Sequence, residues 1–237
     1  MTALPQKKSA RITEIFSSLQ GEGPRMGERH IFIRFENCHM ACAYCDESEK
    51  KGRARTLPEI LREVGRLEKR EGPHPCVSLT GGEPLLEAAF LVPLCRALRK
   101  KKFRILLETS GVLWRQLSKV SGDCDIIAMD LKLPSVTKQR DFLEEHRAFL
   151  KIAKRSHVYI KVVVSQGLNV RELDKHLQMV ASVAPETPVF LQPLSRPGKI
   201  YPDVALMRYL IKLQRIGAKR LLDVRVGIQL HKVLNIR

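Results

Sequence analysis

The chain has 237 residues, 44% of them hydrophobic, with 42 Lys and Arg against 25 Asp and Glu, a formal net charge of +17. This length suits one α/β domain over residues 1–237, and no Gly-, Ser- or Pro-rich linker divides it. No run of about 18 apolar residues could span a bilayer, and residues 1–8 lack a signal peptide's apolar core, so the expected location is the cytoplasm, without a membrane partner.

Short apolar runs alternate with longer amphipathic stretches, the pattern of βα units. A first strand is expected over residues 12–16, followed by the turn-rich segment Ser17-Ser18-Leu19-Gln20-Gly21-Glu22-Gly23-Pro24, and a second over 30–35. Cys38, Cys42 and Cys45 come next in a CxxxCxxC spacing, and then a basic group, Lys50, Lys51, Arg53 and Arg55. Thr56 and Glu59 form a capping box that opens a helix, with Leu57, Leu61, Val64 and Leu67 at helical spacing. Further strands are expected at 76–79, 103–107, 125–129, 158–164, 189–191 and 224–228, and helices at 86–101, 138–155, 170–183 and 203–216. That makes about six βα units, short of the eight of a closed barrel and consistent with an open or partial one.

Basic residues are scattered along the chain. Their densest run, Arg99-Lys100-Lys101-Lys102, falls at an expected turn between helix and strand, where it reads as a solvated face. Nucleic acid is therefore not an expected partner. Six cysteines without an export signal point to metal or redox use rather than to a disulfide framework. Cys76, Cys95 and Cys124 stand alone and read as small buried hydrophobes.

On spacing alone, a short loop carrying Cys38, Cys42 and Cys45 can turn three thiolates toward one point, and soft thiolates select zinc, copper(I) or an iron–sulfur centre. Polar motifs then recur at the C-terminal ends of the expected strands: Gly81-Gly82-Glu83-Pro84, Glu108-Thr109-Ser110-Gly111, Asp130-Leu131-Lys132 and Gln192-Pro193. In parallel βα architectures those ends share the face that carries the active site. Two glycines let a backbone approach a ligand, Glu83 can accept from an ammonium group, Lys132 can hold a carboxylate, and Ser110 a hydroxyl or carboxylate. Together they suit a zwitterionic amino-acid ligand with a nucleoside attached.

With Tyr44 just before the third cysteine and Gly81-Gly82-Glu83-Pro84 downstream, the cysteine motif resembles that of the radical S-adenosylmethionine (SAM) superfamily, along most of the chain. Within it, the Ser17 to Pro24 segment, Arg34 and the tail Gln229-Leu230-His231-Lys232 resemble the 7-carboxy-7-deazaguanine synthase family, which serves queuosine and 7-deazapurine biosynthesis. The resemblance implies an α/β fold, a partial (β/α)6-type radical SAM barrel with parallel strands. It implies a [4Fe-4S] cluster on Cys38, Cys42 and Cys45, and SAM held by Tyr44, Gly82, Glu83, Ser110, Lys132 and Gln192. It also implies a lyase that converts 6-carboxy-5,6,7,8-tetrahydropterin to 7-carboxy-7-deazaguanine with loss of ammonia. The substrate would rest on Leu19, Gln20, Gly21, Glu22 and Arg34. No side chain is assigned as catalytic, because the radical arises from cluster-bound SAM. An electron donor such as a flavodoxin or ferredoxin, a magnesium ion and a homodimer are implied as well.

Two positions depart from the family pattern. Where the family commonly has a magnesium-binding Thr, two residues after the third cysteine, this chain has Glu47, a hard oxygen donor and so a candidate magnesium ligand. Asp130-Leu131-Lys132 replaces a Ser-Pro-Lys type segment and resembles the glycyl-radical activating enzymes, the alternative reading. A metal-stabilised basic protein that binds nucleic acid without catalysis is a third, and it leaves the strand-end motifs unexplained.

Overall fold

The computed structural model describes residues 7–45, 51–195 and 203–236. Strand β1 (Ser9–Leu19) turns through a 3-10 turn (Gly23–Arg25) into β2 (Arg29–Phe35), and a short strand β3 (Arg53–Thr56) leads into helix α1 (Leu57–Glu71). Then follow β4 (Cys76–Gly81), α2 (Ala88–Lys100), β5 (Arg104–Thr109), α3 (Trp114–Val120) and β6 (Ile126–Asp130). Helices α4 (Pro134–Thr137) and α5 (Leu143–Ala153) precede β7 (His157–Val164), α6 (Val170–Val183) and β8 (Val189–Pro193). Helix α7 (Val204–Gly217), β9 (Val224–Val226) and α8 (Leu230–Val233) complete the described chain.

All nine strands form one sheet in the order β3-β1-β2-β4-β5-β6-β7-β8-β9. From β2 and then β4 through β9 every neighbouring pair is parallel, and six helical crossovers join them. The expected parallel strands form the barrel, and one edge adds an antiparallel element, where β1 runs antiparallel to both β2 and β3. The loop from Gln20 to Glu28 is too short for the crossover a parallel neighbour needs, so β1 and β2 pair as a hairpin.

The longer helices form for local reasons and then bury one stripe each. At α1 the Thr56 N–H donates to Glu59 Oε2 at 2.7 Å, the expected capping box, and Ile60, Val64 and Leu67 are buried. The helix expected over 138–155 starts later, as α5, after the separate short helix α4. Lys138 ends α4 in a left-handed conformation at φ 61°, and Asp141 then accepts from the Leu143 N–H at 2.9 Å to start α5. The strand expected at 224–228 closes earlier, at Val226.

Strand side chains alternate between the two faces. Outward residues such as Ile33, Leu79, Leu107, Ile127, Ile160 and Leu191 are fully buried under the helices. Inward residues Cys76, Leu106, Ile126, Ala128, Tyr159 and Phe190 make a second, smaller apolar cluster. Further along these strands the inward positions turn polar, at Thr80, Glu108, Asp130, Lys161 and Gln192, all of which line a cavity. The barrel therefore has an apolar floor beneath a polar chamber. Cys76, Cys95 and Cys124 are buried, as expected for structural thiols. Among the described residues no helix is long and apolar enough to cross a membrane.

Candidate functional site

A cavity of about 1240 Å³ opens over the C-terminal ends of the parallel strands, and Cys38, Cys42 and Cys45 line it. Close backbone approach places this loop. Gly81 has φ +108°, its neighbour Gly82 donates to Phe35 O at 2.8 Å, and Glu83 N donates to Asn37 O at 2.7 Å, pinning the chain just before Cys38. Further along, Ala43 N donates to Thr137 O at 3.0 Å and the Gln139 amide to Ala41 O at 2.9 Å. All six thiols are free of disulfides, and these three are partly accessible, unlike the three buried ones. They share one cavity wall, yet no three His, Cys, Asp or Glu side chains among the described residues gather as a single metal ion requires. A tetrahedral zinc needs donors within about 2.3 Å of one centre, whereas each thiolate of a [4Fe-4S] cluster takes a different iron. Burial pushes the Cys38 and Cys42 thiols up, against the opposing charge of Lys132, and a bound metal's charge favours the thiolate.

Next to the cysteines lie the strand-end motifs. Gly82, Ser110, Lys132, Gln192 and Tyr44 all face the cavity. Glu83 does not: it is fully buried behind the wall. Its Oε1 accepts from Leu85 N at 3.1 Å and Thr109 Oγ1 at 2.9 Å, and its Oε2 from Ser110 N at 2.8 Å and Ser110 Oγ at 2.6 Å. Capping the 3-10 turn Pro84–Glu87 draws the carboxylate inward, so it orders the Ser110 loop instead of facing a ligand.

Lys132 Nζ lies 2.7 Å from Asp130 Oδ2 and 3.4 Å from the Tyr44 hydroxyl. Burial works against its charge, but Asp130, Tyr44 and Cys42 outweigh that and hold the ammonium's pKa above its ordinary value. Beneath it, His146 Nε2 accepts from Lys132 N at 3.4 Å, and burial, reinforced by His176, lowers the His146 imidazole to about 3. A neutral ring thus supports the Lys132 backbone.

On the opposite side Leu19, Gln20, Gly21, Glu22 and Arg34 line the same cavity. Gln20 donates from Nε2 to Glu108 Oε1 at 3.0 Å and accepts from Glu22 N at 3.1 Å. Glu22 accepts from Lys161 Nζ and from Gln229 Nε2, both at 2.7 Å. Burial alone would raise its carboxyl, but Lys161 and then Gln229 bring it down to about 2. Arg34 Nε pairs with Glu14 Oε1 at 2.7 Å, and its guanidinium lies 5.4 Å from the centre of the Phe16 ring. His231 covers Gly21 so closely that a Cβ there would come within 2.1 Å of Nδ1. Glu47 lies outside the described residues.

Sequence reasoning missed Lys161 altogether and gave Glu108 no role. The available signal was a lysine in the middle of His157–Val164, a strand otherwise apolar on both faces, where a charge must find partners.

Comparison with known proteins agrees with this geometry. The family model described as Radical SAM superfamily matches residues 32–180, and the chain belongs to that superfamily. Proteins named 7-carboxy-7-deazaguanine synthase are similar to it over nearly their whole length. The one from Geobacter sulfurreducens is 34% identical, covering 96% of this chain and 98% of its own, and the one from Methanopyrus kandleri is 32% identical, covering 94% and 93%. Within the superfamily, then, the chain is a member of the 7-carboxy-7-deazaguanine synthase family. In fold it is similar to the crystal structure of QueE from Escherichia coli, with TM-score 0.64, 22% identity and coverage of 94% of this chain and 95% of that one. Radical SAM membership brings a [4Fe-4S] cluster and SAM as cofactors and calls for a reductant.

Proposed function

We propose that this cavity converts 6-carboxy-5,6,7,8-tetrahydropterin to 7-carboxy-7-deazaguanine with loss of ammonia, as a lyase of 7-deazapurine biosynthesis. The observation that carries the reading is the opening of Gln20, Glu22 and Arg34 into the same chamber as Cys38, Cys42 and Cys45. When bound, the cluster and SAM supply the hydrogen-abstracting radical, and the protein supplies binding, orientation and exclusion of side reactions. The three cysteines would hold the cluster. Lys132 takes a carboxylate of SAM, with Tyr44, Gly82, Ser110 and Gln192 around it, while Glu83 fixes the Ser110 loop from behind. Glu22 accepts from the amino and ring N–H groups of the pterin, and Arg34 pairs with its carboxylate.

The same reading includes a magnesium ion on Glu47, a flavodoxin or ferredoxin as electron donor, a homodimer and a cytoplasmic location, all carried by one domain over residues 1–237. Its test is anaerobic reconstitution with iron and sulfide, then incubation with reductant, SAM and 6-carboxytetrahydropterin. Mass spectrometry should find the deazaguanine. SAM cleavage without the deazaguanine would overturn the substrate assignment and favour a glycyl-radical activating enzyme.

A further inference from the structure

Lys161 stands in the middle of β7 and is only 7% exposed. Its Nζ lies 2.7 Å from Glu22 Oε2, 3.5 Å from Asp130 Oδ1 and 3.8 Å from Glu108 Oε2, so one ammonium serves carboxylates from three other segments. A merely structural residue at an inward strand position needs no charge, as Val163 two places further on shows. Removing a cation from so enclosed a group would leave buried carboxylates uncompensated.

Glu22 is the partner that Lys161 holds most closely. One of its oxygens takes Lys161, and the other takes Gln229 at 2.7 Å. A carboxylate offers about four lone-pair positions, two on each oxygen, so one acceptor position remains on each. Two acceptors held side by side match two parallel N–H donors, the arrangement along the 2-amino-pyrimidinone edge of a pterin. They repel a ring that presents a carbonyl there instead. A carboxyl without Lys161 would take up a proton on burial, or rotate, and lose that selectivity.

We propose that Lys161 is a positioning residue that sets the donor–donor specificity of the cavity by ion-pairing Glu22 in a fixed orientation. The proposal rests on the pterin reading of the cavity and adds the residue that enforces it. Asp130 extends the same network, since its other oxygen takes Lys132 Nζ at 2.7 Å, linking the pterin side to the SAM side.

The test is equilibrium binding, by anaerobic calorimetry on the reconstituted enzyme, of 6-carboxypterin and of its 2-oxo analogue 6-carboxylumazine. Wild-type enzyme should prefer the pterin by about 100-fold, because the analogue leaves buried acceptors unpaired. Lys161→Met should bring the two ligands within about fivefold of each other by weakening the pterin, whereas Lys161→Arg should retain a preference above about tenfold. In a Glu22→Gln background Lys161→Met should add less than about threefold, since both changes remove the same interaction. Should Lys161→Met fail to fold, Lys161→Met with Glu108→Gln removes one stranded carboxylate and gives the same readout. A wild-type preference that survives in the Met variant overturns this proposal alone, as does equal loss in the Met and Arg variants. A wild-type enzyme with no preference for the pterin overturns the pterin reading, and this proposal with it.

Discussion

Replacing Gly82 by Ala isolates the close approach that places the cysteine loop. A Cβ built there lies 2.3 Å from Asn37 O, 2.6 Å from Asn37 C and 2.7 Å from Glu36 O, all backbone atoms and about 1 Å short of ordinary contact. These atoms cannot rotate away as a side chain would. Overpacking of this kind costs about 1–3 kcal/mol, and displacing Asn37 weakens the Glu83 N to Asn37 O bond of 2.7 Å, at about 1 kcal/mol. A total of about 2–4 kcal/mol corresponds to a fall in Tm of roughly 5–15 °C for a chain of this size. Circular-dichroism melts of the metal-free protein read the stability, and iron per chain after reconstitution reads the cysteine loop, because Cys38 follows Asn37 directly. Gly65 is the control: it is exposed in α1, a Cβ there meets nothing within 4 Å, and Gly65→Ala should stabilise the protein by about 0.5–1 kcal/mol. A Gly82→Ala protein that melts with wild type and loads iron fully would refute the reasoning.

Below pH 6.5 the unfolded chain protonates His146 while the folded chain, with this imidazole at about 3, does not, so stability falls as pH drops through that window. Urea midpoints between pH 7.5 and 5 should show a loss of about 2 kcal/mol in wild type that His146→Gln reduces; identical pH slopes would exclude the assignment. Glu83→Ala strands the Thr109 hydroxyl, the Ser110 N–H and hydroxyl and the Leu85 N–H, at a cost of about 3 kcal/mol or more. SAM affinity by calorimetry should weaken at least tenfold, roughly 1.4 kcal/mol, and an unchanged affinity would separate the Ser110 loop from SAM. Cys42→Ala should cut iron content after reconstitution and abolish turnover, since two thiolates hold a cluster poorly. Full iron and turnover in that variant would remove Cys42 from the site.

The strand ends were readable in advance because parallel topology sends every strand's C-terminal residues to one face, so Thr80, Glu108, Asp130 and Gln192 meet whatever their exact register. Lengths were harder. Strand β3 carries exposed Arg53, Ala54 and Thr56 with no apolar alternation, and α3 spans only Trp114–Val120, two turns with little periodicity to detect. The direction of β1 depended on a turn too short for a crossover. The position of Glu83 was not readable either, since the choice between facing a ligand and capping a turn is settled by Thr109 and Ser110 on another strand. Lys161 shows the same limit. Its alternation assigns it a face, but only the assembled sheet reveals that three carboxylates wait on that face.

The contact from Gln229 to Glu22 spans 207 positions of sequence, and Leu230 N donates to Gly21 O at 2.9 Å beside it. During synthesis the cysteine loop, the parallel strand ends and the apolar floor all emerge before this latch exists. Until residue 229 arrives, Glu22 has Lys161 but not its second donor. Two contacts from the tail thus complete the Glu22 side of a chamber whose other walls come from the strand ends.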